Sequence, residues 1–538
     1  MSWLVGVALF TTLWSSCGPA QQTQAPSRSR TPPDTLVFGA GGEPVNLESG
    51  NITDGNSLYV QNQIYDRLIH VQPGKTELMP GLATAWSVSA DGLTWTFQLR
   101  SGVKFHDGTD FNARAVATNV ERWWDPKHPL GFRNSGKTYQ IWKNLFGGFK
   151  FEPDSLLQAV RVVDDFTVVF VLKRPFAAFP AALSSGYFGI ASPTAIQQAG
   201  KTYGLAGATA VGTGPFVFQE WRRGDRIVLT CNPHYWQPDL PKMEQLVVRF
   251  MTEPAARLAE LRAGTIDMTV DLAPDQRSEV AQDPNLKVVL RPSLNVGYLA
   301  LNPNYKPLAD VRVRQAIAYA INRPEIVQAF WGDLAQTNEH FLPPALKSYQ
   351  SNQLGQYAFN PQQAQHLLKE AGYPQGFELE LWYMPVSRPY YPNPKPIAEA
   401  FAADLSAIGL KVTLRTKDWA AYLSDRNTSP GFQAFMLGWT ADYSDPDNFL
   451  YPHFGPGATA DLGNWRQQRI LTLLEAGRRS QDPPERRKIY REIDQLLFRE
   501  LVRLPIVHSQ PMLAQRVTLQ NWLPSPLGAE PLAWVSKR

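Results

Sequence analysis

Residues 360–382 read NPQQAQHLLKEAGYPQGFELELW, and residues 396–414 read PIAEAFAADLSAIGLKVTL. Each is a helix signal followed by a strand signal. Asn360 is an N-cap type, Pro361 suits the first helical position, and Leu367, Leu368 and Ala371 carry an apolar face that Gly372 closes. A strand pattern follows at 377–381. The second stretch predicts a helix over 396–408, a stop at Gly409 and a strand over 411–414. Farther on, Asp482-Pro483 opens a helix with Ile489, Ile493, Leu496 and Leu497 at helical spacing. Asp310 to Asn322 reads as another capped helix, halted before Pro324. Helix alternating with strand predicts an α/β lobe with a largely parallel sheet.

The first half reads differently. Thr94 to Leu99 alternates polar and apolar residues, and Asp91-Gly92 separates it from Trp86–Ser89, a hairpin signal. Residues 160–172, VRVVDDFTVVFVL, repeat the pattern around Asp164-Asp165. At 538 residues the chain exceeds what one hydrophobic core supports, so two lobes are expected. The apolar fraction of 43% and charged fraction of 19% fit a globular protein, and a net charge of +4 without a Lys/Arg-dense run argues against a nucleic-acid partner.

Trp3 to Trp14 is an apolar run with the length of a signal-peptide core, too short to span a bilayer. Residues 1–20 are therefore read as a signal peptide. Ser15-Ser16-Cys17 resembles a lipoprotein signal with Cys17 as the lipidated terminus. Trp14 stands where Leu is usual, and a plain secretory signal cut after Ala20 is the alternative. Residues 21–34, QQTQAPSRSRTPPD, form a flexible tether. With Cys17 at the processing site, Cys231 has no partner for a disulfide.

Catalytic and metal signatures are weak. The histidines at 70, 106, 128, 234, 340, 366, 453 and 508 have no metal-ligand spacing, so no metal is expected. GFRNSGKT at 131–138 spells a phosphate-binding loop. The residues before it, ERWWDPKHPL, are polar and Pro-broken and do not form the buried strand that such a loop needs. Two segments carry recognition chemistry. GWTADYSDPDNFL at 438–450 holds Asp442, Asp445 and Asp447 after the apolar stretch 432–437. It is either a solvated acidic turn or an anchor for an amine at a sheet's end. MPVSRPYYPNPKP at 384–396 fixes a loop bearing Arg388, Tyr390 and Tyr391. Its Arg is either an ordinary surface residue or a guanidinium held to accept a carboxylate.

These segments resemble the ABC solute-binding proteins for peptides and nickel, the dipeptide-binding group above all. The matching text runs along nearly the whole chain after the leader. It includes PGLATAWSVSADGLTWTFQLRSGVKFHDG (80–108), VGTGPFVFQEW (211–221), LNVGYLALNPNYKPLADVRVRQAIAYAIN (294–322), LLKEAGYPQGFELELWYMPVSRPYYPNP (367–394) and LGWTADYSDPDNFL (437–450). The resemblance implies a two-lobed periplasmic-binding-protein-like fold of type II. Lobe I would take 35–294 with 511–538, an extra subdomain about 71–210, and lobe II 295–510. It implies that Asp442 binds a peptide α-amino group and Arg388 its C-terminal carboxylate, with Trp439, Tyr390 and Tyr391 as cleft walls.

The implied protein is no enzyme and needs no cofactor. It is a monomer outside the cytoplasm that passes short peptides to an ABC permease driven by a cytoplasmic ATPase, and it touches the membrane only through a lipid on Cys17. A carrier of glutathione, an opine-like compound, haem or a chelated metal, or a ligand sensor, is the alternative. Close dipeptide binders carry a Cys pair after the acidic segment; YPHFGPGATADLGNW at 451–465 has none, which leaves ligand length and side-chain pocket open.

Overall fold

The computed structural model describes residues 34–538, so the signal peptide, Cys17 and all of the tether but Asp34 lie outside the described residues. Three main sheets organise the chain. The first has seven strands in the order 286–290, 512–516, 268–269, 35–40, 245–250, 226–231, 216–222. The second has six, in the order 335–336, 503–509, 295–301, 434–440, 378–382, 411–415. The third is a four-stranded antiparallel sheet of 83–88, 94–99, 167–172 and 157–164. The chain enters the six-stranded sheet at Asn295, directly after the strand Leu286–Leu290. It leaves at Ser509, directly before the strand Met512–Arg516.

The local signals match the elements. Asn360 caps Pro361–Glu370 by accepting the Gln363 N–H at 2.9 Å. Asp310 and Asp482 cap Val311–Ala320 and Pro483–Glu500 in the same way. The Asp91-Gly92 turn joins Ala83–Val88 to Thr94–Leu99, with Gly92 at φ +72°.

The expectation of a largely parallel second sheet needs correction. Only Ala434–Thr440, Glu378–Trp382 and Lys411–Arg415 run parallel; Asn295–Leu301 pairs antiparallel with Ala434–Thr440 and with Arg503–Ser509. The parallel strands are those linked by helices, as crossover connections require. The antiparallel strands are the ones that bring the chain into and out of the sheet, and periodicity alone does not reveal their partners.

Each sheet has its own core. The largest is built on Val296, Tyr298, Leu381, Phe401, Phe435, Ile493 and Ile506. A second, rich in aromatics, holds Phe97, Trp123, Trp142, Phe170, Phe179 and Phe188. The GFRNSGKT segment follows the helix Ala113–Trp124 rather than a strand, and it begins in one short turn, Pro129–Gly131, and contains another, Arg133–Ser135. Its Lys137 is spent on the buried Glu48 at 2.6 Å, beside the Arg122–Glu48 pair at 2.9 Å, so the segment is structural.

Candidate ligand-binding site

Strands Glu378–Trp382 and Ala434–Thr440 are parallel neighbours, with Leu381 opposite Ala434 and Trp382 opposite Phe435. The loops that leave them therefore emerge on one edge of the sheet, the carboxyl ends where α/β folds place ligands. One loop carries Arg388, the other Asp442.

The acidic segment separates its three carboxylates by partner. Asp445 accepts two bonds from Arg486, each 2.8 Å, and both side chains are buried. Asp447 accepts two from Arg478, at 2.7 and 3.0 Å, and one from the Tyr443 hydroxyl at 2.9 Å. Asp442 forms no ion pair among the described residues. Its N–H donates to Asn448 Oδ1 at 2.9 Å, and Asn448 Nδ2 reaches its carboxylate at 3.5 Å. Burial pushes the Asp442 carboxyl up to about 6, with Asn448 pulling the other way. Asp442 is half-buried, and a carboxylate withdrawn from water without an ion-pair partner is costly to ionise.

Asn448 is the organiser of this loop. Its Oδ1 also accepts from Trp439 Nε1 at 3.1 Å, which fixes the half-buried indole beside Asp442. Under that indole lies His453, at 5.2 Å and 81°. Burial lowers the His453 pKa to about 3, so it stays neutral and offers Asp442 no charge.

The Arg388 loop closes on itself through two backbone bonds, Arg388 N–H to Tyr391 O at 3.0 Å and Tyr391 N–H to Arg388 O at 2.9 Å. The Arg388 side chain is exposed and has no carboxylate within ion-pair distance among the described residues; its guanidinium lies 5.4 Å from the Trp419 ring and bonds Ser387 O at 3.1 Å. Tyr390 joins the two loops. Its ring covers Gly438, where a Cβ would meet Tyr390 Cδ2 at 2.3 Å. Burial pushes its hydroxyl up to about 12, and the Arg388 guanidinium opposes that rise.

Tyr391 is a different case. It is 0% exposed, packed at 6.2 Å on Trp331, and its hydroxyl has no hydrogen-bond partner among the described residues. In this conformation its ring belongs to the core cluster beneath the loop.

Three contributors were not anticipated from sequence. Asn448 stands in the DPDNF text but reads there as a helix-start residue. Gly438 gives no signal until Tyr390 is seen on it. Tyr187 comes from a distant segment: burial, then the carboxylates of Asp442 and Asp54, push its hydroxyl up, and its carbonyl accepts the Gly50 N–H at 2.7 Å. Among the described residues no group of three or more His, Cys, Asp or Glu is arranged to hold a metal ion, and no helix is long and apolar enough to cross a membrane.

Residues 77–461 match the model of the bacterial extracellular solute-binding proteins, family 5. The chain belongs to that family. This family-5 protein is 33% identical over 507 residues to the dipeptide-binding protein of Escherichia coli K12, covering 92% of this chain and 93% of that one. It is also 33% identical over 527 residues to heme-binding protein A of Haemophilus influenzae, covering 96% and 94%. Among solved structures, the dipeptide-binding protein of Pseudoalteromonas sp. SM9913 in complex with Met-Leu superposes with a TM-score of 0.76 at 29% identity, over 94% of this chain and all of that one. The family-5 protein is thus a solute-binding protein with the type II periplasmic-binding fold, the substrate-capturing component of an ABC importer.

Proposed function

We propose that this family-5 protein captures short peptides, dipeptides foremost, between two closing lobes and delivers them to an ABC permease powered by a cytoplasmic ATPase. The observation that carries this reading is the pair of opposite charges, Asp442 and Arg388, neither with an ion-pair partner among the described residues, on loops leaving one edge of adjacent parallel strands. Asp442 takes the peptide's α-ammonium and Arg388 its terminal carboxylate, each contact contributing roughly 1.5–3 kcal/mol. Held at a fixed separation, the two act as a ruler, since a ligand of the wrong length leaves one of them unpaired. Trp439 and Tyr390 flank the bound backbone.

The lobes are residues 35–294 with 511–538, including a subdomain at about 71–210, and residues 295–510. Residues 1–20 direct export, Cys17 carries a lipid, and 21–34 tether a monomer at the outer face of the cytoplasmic membrane or in the periplasm. The role is binding without turnover: Asp442 and Arg388 engage the ligand's two termini and not its peptide bond.

Haem, the ligand named for the H. influenzae relative, presents carboxylates but no ammonium and would leave Asp442 unpaired, so the charges favour a peptide. Calorimetry on the refolded mature chain tests the reading, with Ala-Phe, its C-terminal amide, its N-acetyl form, a tripeptide, glutathione and haemin as titrants. Ala-Phe should bind, either blocked form should lose affinity, and Asp442→Ala or Arg388→Ala should each weaken Ala-Phe by about 10- to 100-fold. Heat from haemin alone overturns it.

A further inference from the structure

Asp442 does not sit on a free loop. Its neighbour Tyr443 is 3% exposed, and its ring is buried in the aromatic cluster whose other buried members all lie between Leu68 and Ile190. Tyr443 follows the strand Ala434–Thr440 of the six-stranded sheet, yet it packs in the core of the four-stranded one. Its hydroxyl donates to Asp447 Oδ2 at 2.9 Å. Asp447 holds Arg478 through two bonds, and Arg478 leads back across: its carbonyl accepts the Ala177 N–H at 2.7 Å, and its guanidinium stands 4.9 Å from the Phe176 ring. Phe176 belongs to the same aromatic cluster. The path from cluster to Tyr443, Asp447, Arg478, Phe176 and cluster again is closed, and every member is a residue of the chain.

We propose that Tyr443, Asp447 and Arg478 form a latch that docks the acidic segment on the first-lobe subdomain without help from the ligand, setting the balance between open and closed lobes. Burial of the Tyr443 ring is an apolar gain available whatever occupies the cleft. The Asp447–Arg478 pair is made within one lobe, so closure brings in a pair whose charges already satisfy each other. Ligand then adds to a closure that the chain itself favours. A ligand that needs the closed form has an apparent Kd equal to its intrinsic Kd divided by the closed fraction. That factor is the same for every ligand. The latch therefore sets overall affinity, whereas Asp442 and Arg388 set selectivity. The peptide reading enters only through the choice of probes.

The test uses the refolded, ligand-free mature chain. Hydrogen exchange over the segment containing Ala177 should show slowed exchange before any peptide is added, and Tyr443→Ser should abolish that protection while leaving the strands 295–301 and 434–440 protected. Small-angle scattering should show Tyr443→Ser more expanded than wild type, with Tyr443→Phe close to wild type because the ring is retained. By calorimetry, Tyr443→Ser should weaken Ala-Phe and its C-terminal amide by one common factor of about tenfold. An Ala177 amide that exchanges freely until peptide is added overturns the proposal, and this measurement stands even if Tyr443→Ser fails to fold. So does a folded Tyr443→Ser with unchanged dimensions and affinity. If wild type binds no dipeptide, the peptide reading falls, while exchange and scattering still judge the latch.

Discussion

Asp442, Asp445 and Asp447 stand within six residues, and the residue types alone give them equal weight; only the family resemblance singles out Asp442. The structure separates them by the arginines they meet. Arg478 and Arg486 come from residues more than thirty positions downstream, so the sorting was not legible in GWTADYSDPDNFL itself. The consequence for Asp442 is titration in an accessible range. Its carboxyl is raised to about 6, with Asn448, Trp439 and Tyr187 around it and the neighbouring Asp445 and Asp447 neutralised by their arginines. An ammonium ligand needs the ionised form, so affinity for a free dipeptide should fall as pH drops below about 6. The peptide carboxylate ionises far lower and does not share that window. Calorimetry between pH 7.5 and 5 should show the loss in wild type, and Asp442→Asn should bind weakly and without that pH dependence. Stability runs the other way. A carboxyl whose folded pKa lies above its unfolded value favours the native state at low pH, and that contribution is lost as pH rises through about 6. Asp442→Asn should therefore be more stable than wild type at pH 7.5, by about 2 kcal/mol, with the difference vanishing near pH 4. Urea melts at the two pH values check it.

Among the elements, the two central strands carry a feature with a direct mechanical reading. Gly297 of Asn295–Leu301 and Gly438 of Ala434–Thr440 stand opposite each other in register. A Cβ at Gly297 would meet Val507 Cγ1 at 2.7 Å and Tyr390 O at 2.8 Å; one at Gly438 would meet Val296 O at 2.5 Å as well as the Tyr390 ring. The pair makes a floor without side chains on which the Arg388 loop rests. Gly438→Ala should lift Tyr390, cost about 1–3 kcal/mol of stability, and weaken peptide binding through displacement of Arg388. Melting and calorimetry on one sample measure both. The helix Pro483–Glu500 supplies a second case, because Arg486 and Asp445 brace the acidic segment from beneath. Asp445→Ala strands a buried guanidinium and should cost about 3–5 kcal/mol, read from urea unfolding, whereas exchanging both partners for apolar residues should cost far less. Helices and hairpins were legible in the sequence because caps, turns and periodicity are local. The antiparallel half of the six-stranded sheet was not, since Asn295–Leu301 and Arg503–Ser509 pair across two hundred residues.

For the whole molecule, the reading of two lobes came from length and from the contrast between hairpins early and helix–strand units late. Asp442 and Arg388 came from text resembling a family, and no spacing rule would have joined residues fifty-four apart. Tyr187 and Tyr443 escaped notice because their roles exist only where one part of the chain meets the other.

The seven-stranded sheet has a further implication. Its strand Met512–Arg516 lies between Leu286–Leu290 and Met268–Thr269, and Arg516 N–H bonds Asp267 O at 2.8 Å. In chain order that strand comes after every strand of the six-stranded sheet. Without it the first-begun sheet is split, with Leu286–Leu290 detached and the edge of Met268–Thr269 bare. In a chain ended after Gln510, amides of 295–301 and 434–440 should be protected from exchange while those of 286–290 are not, so the half begun first is the half stitched shut from farthest along the chain.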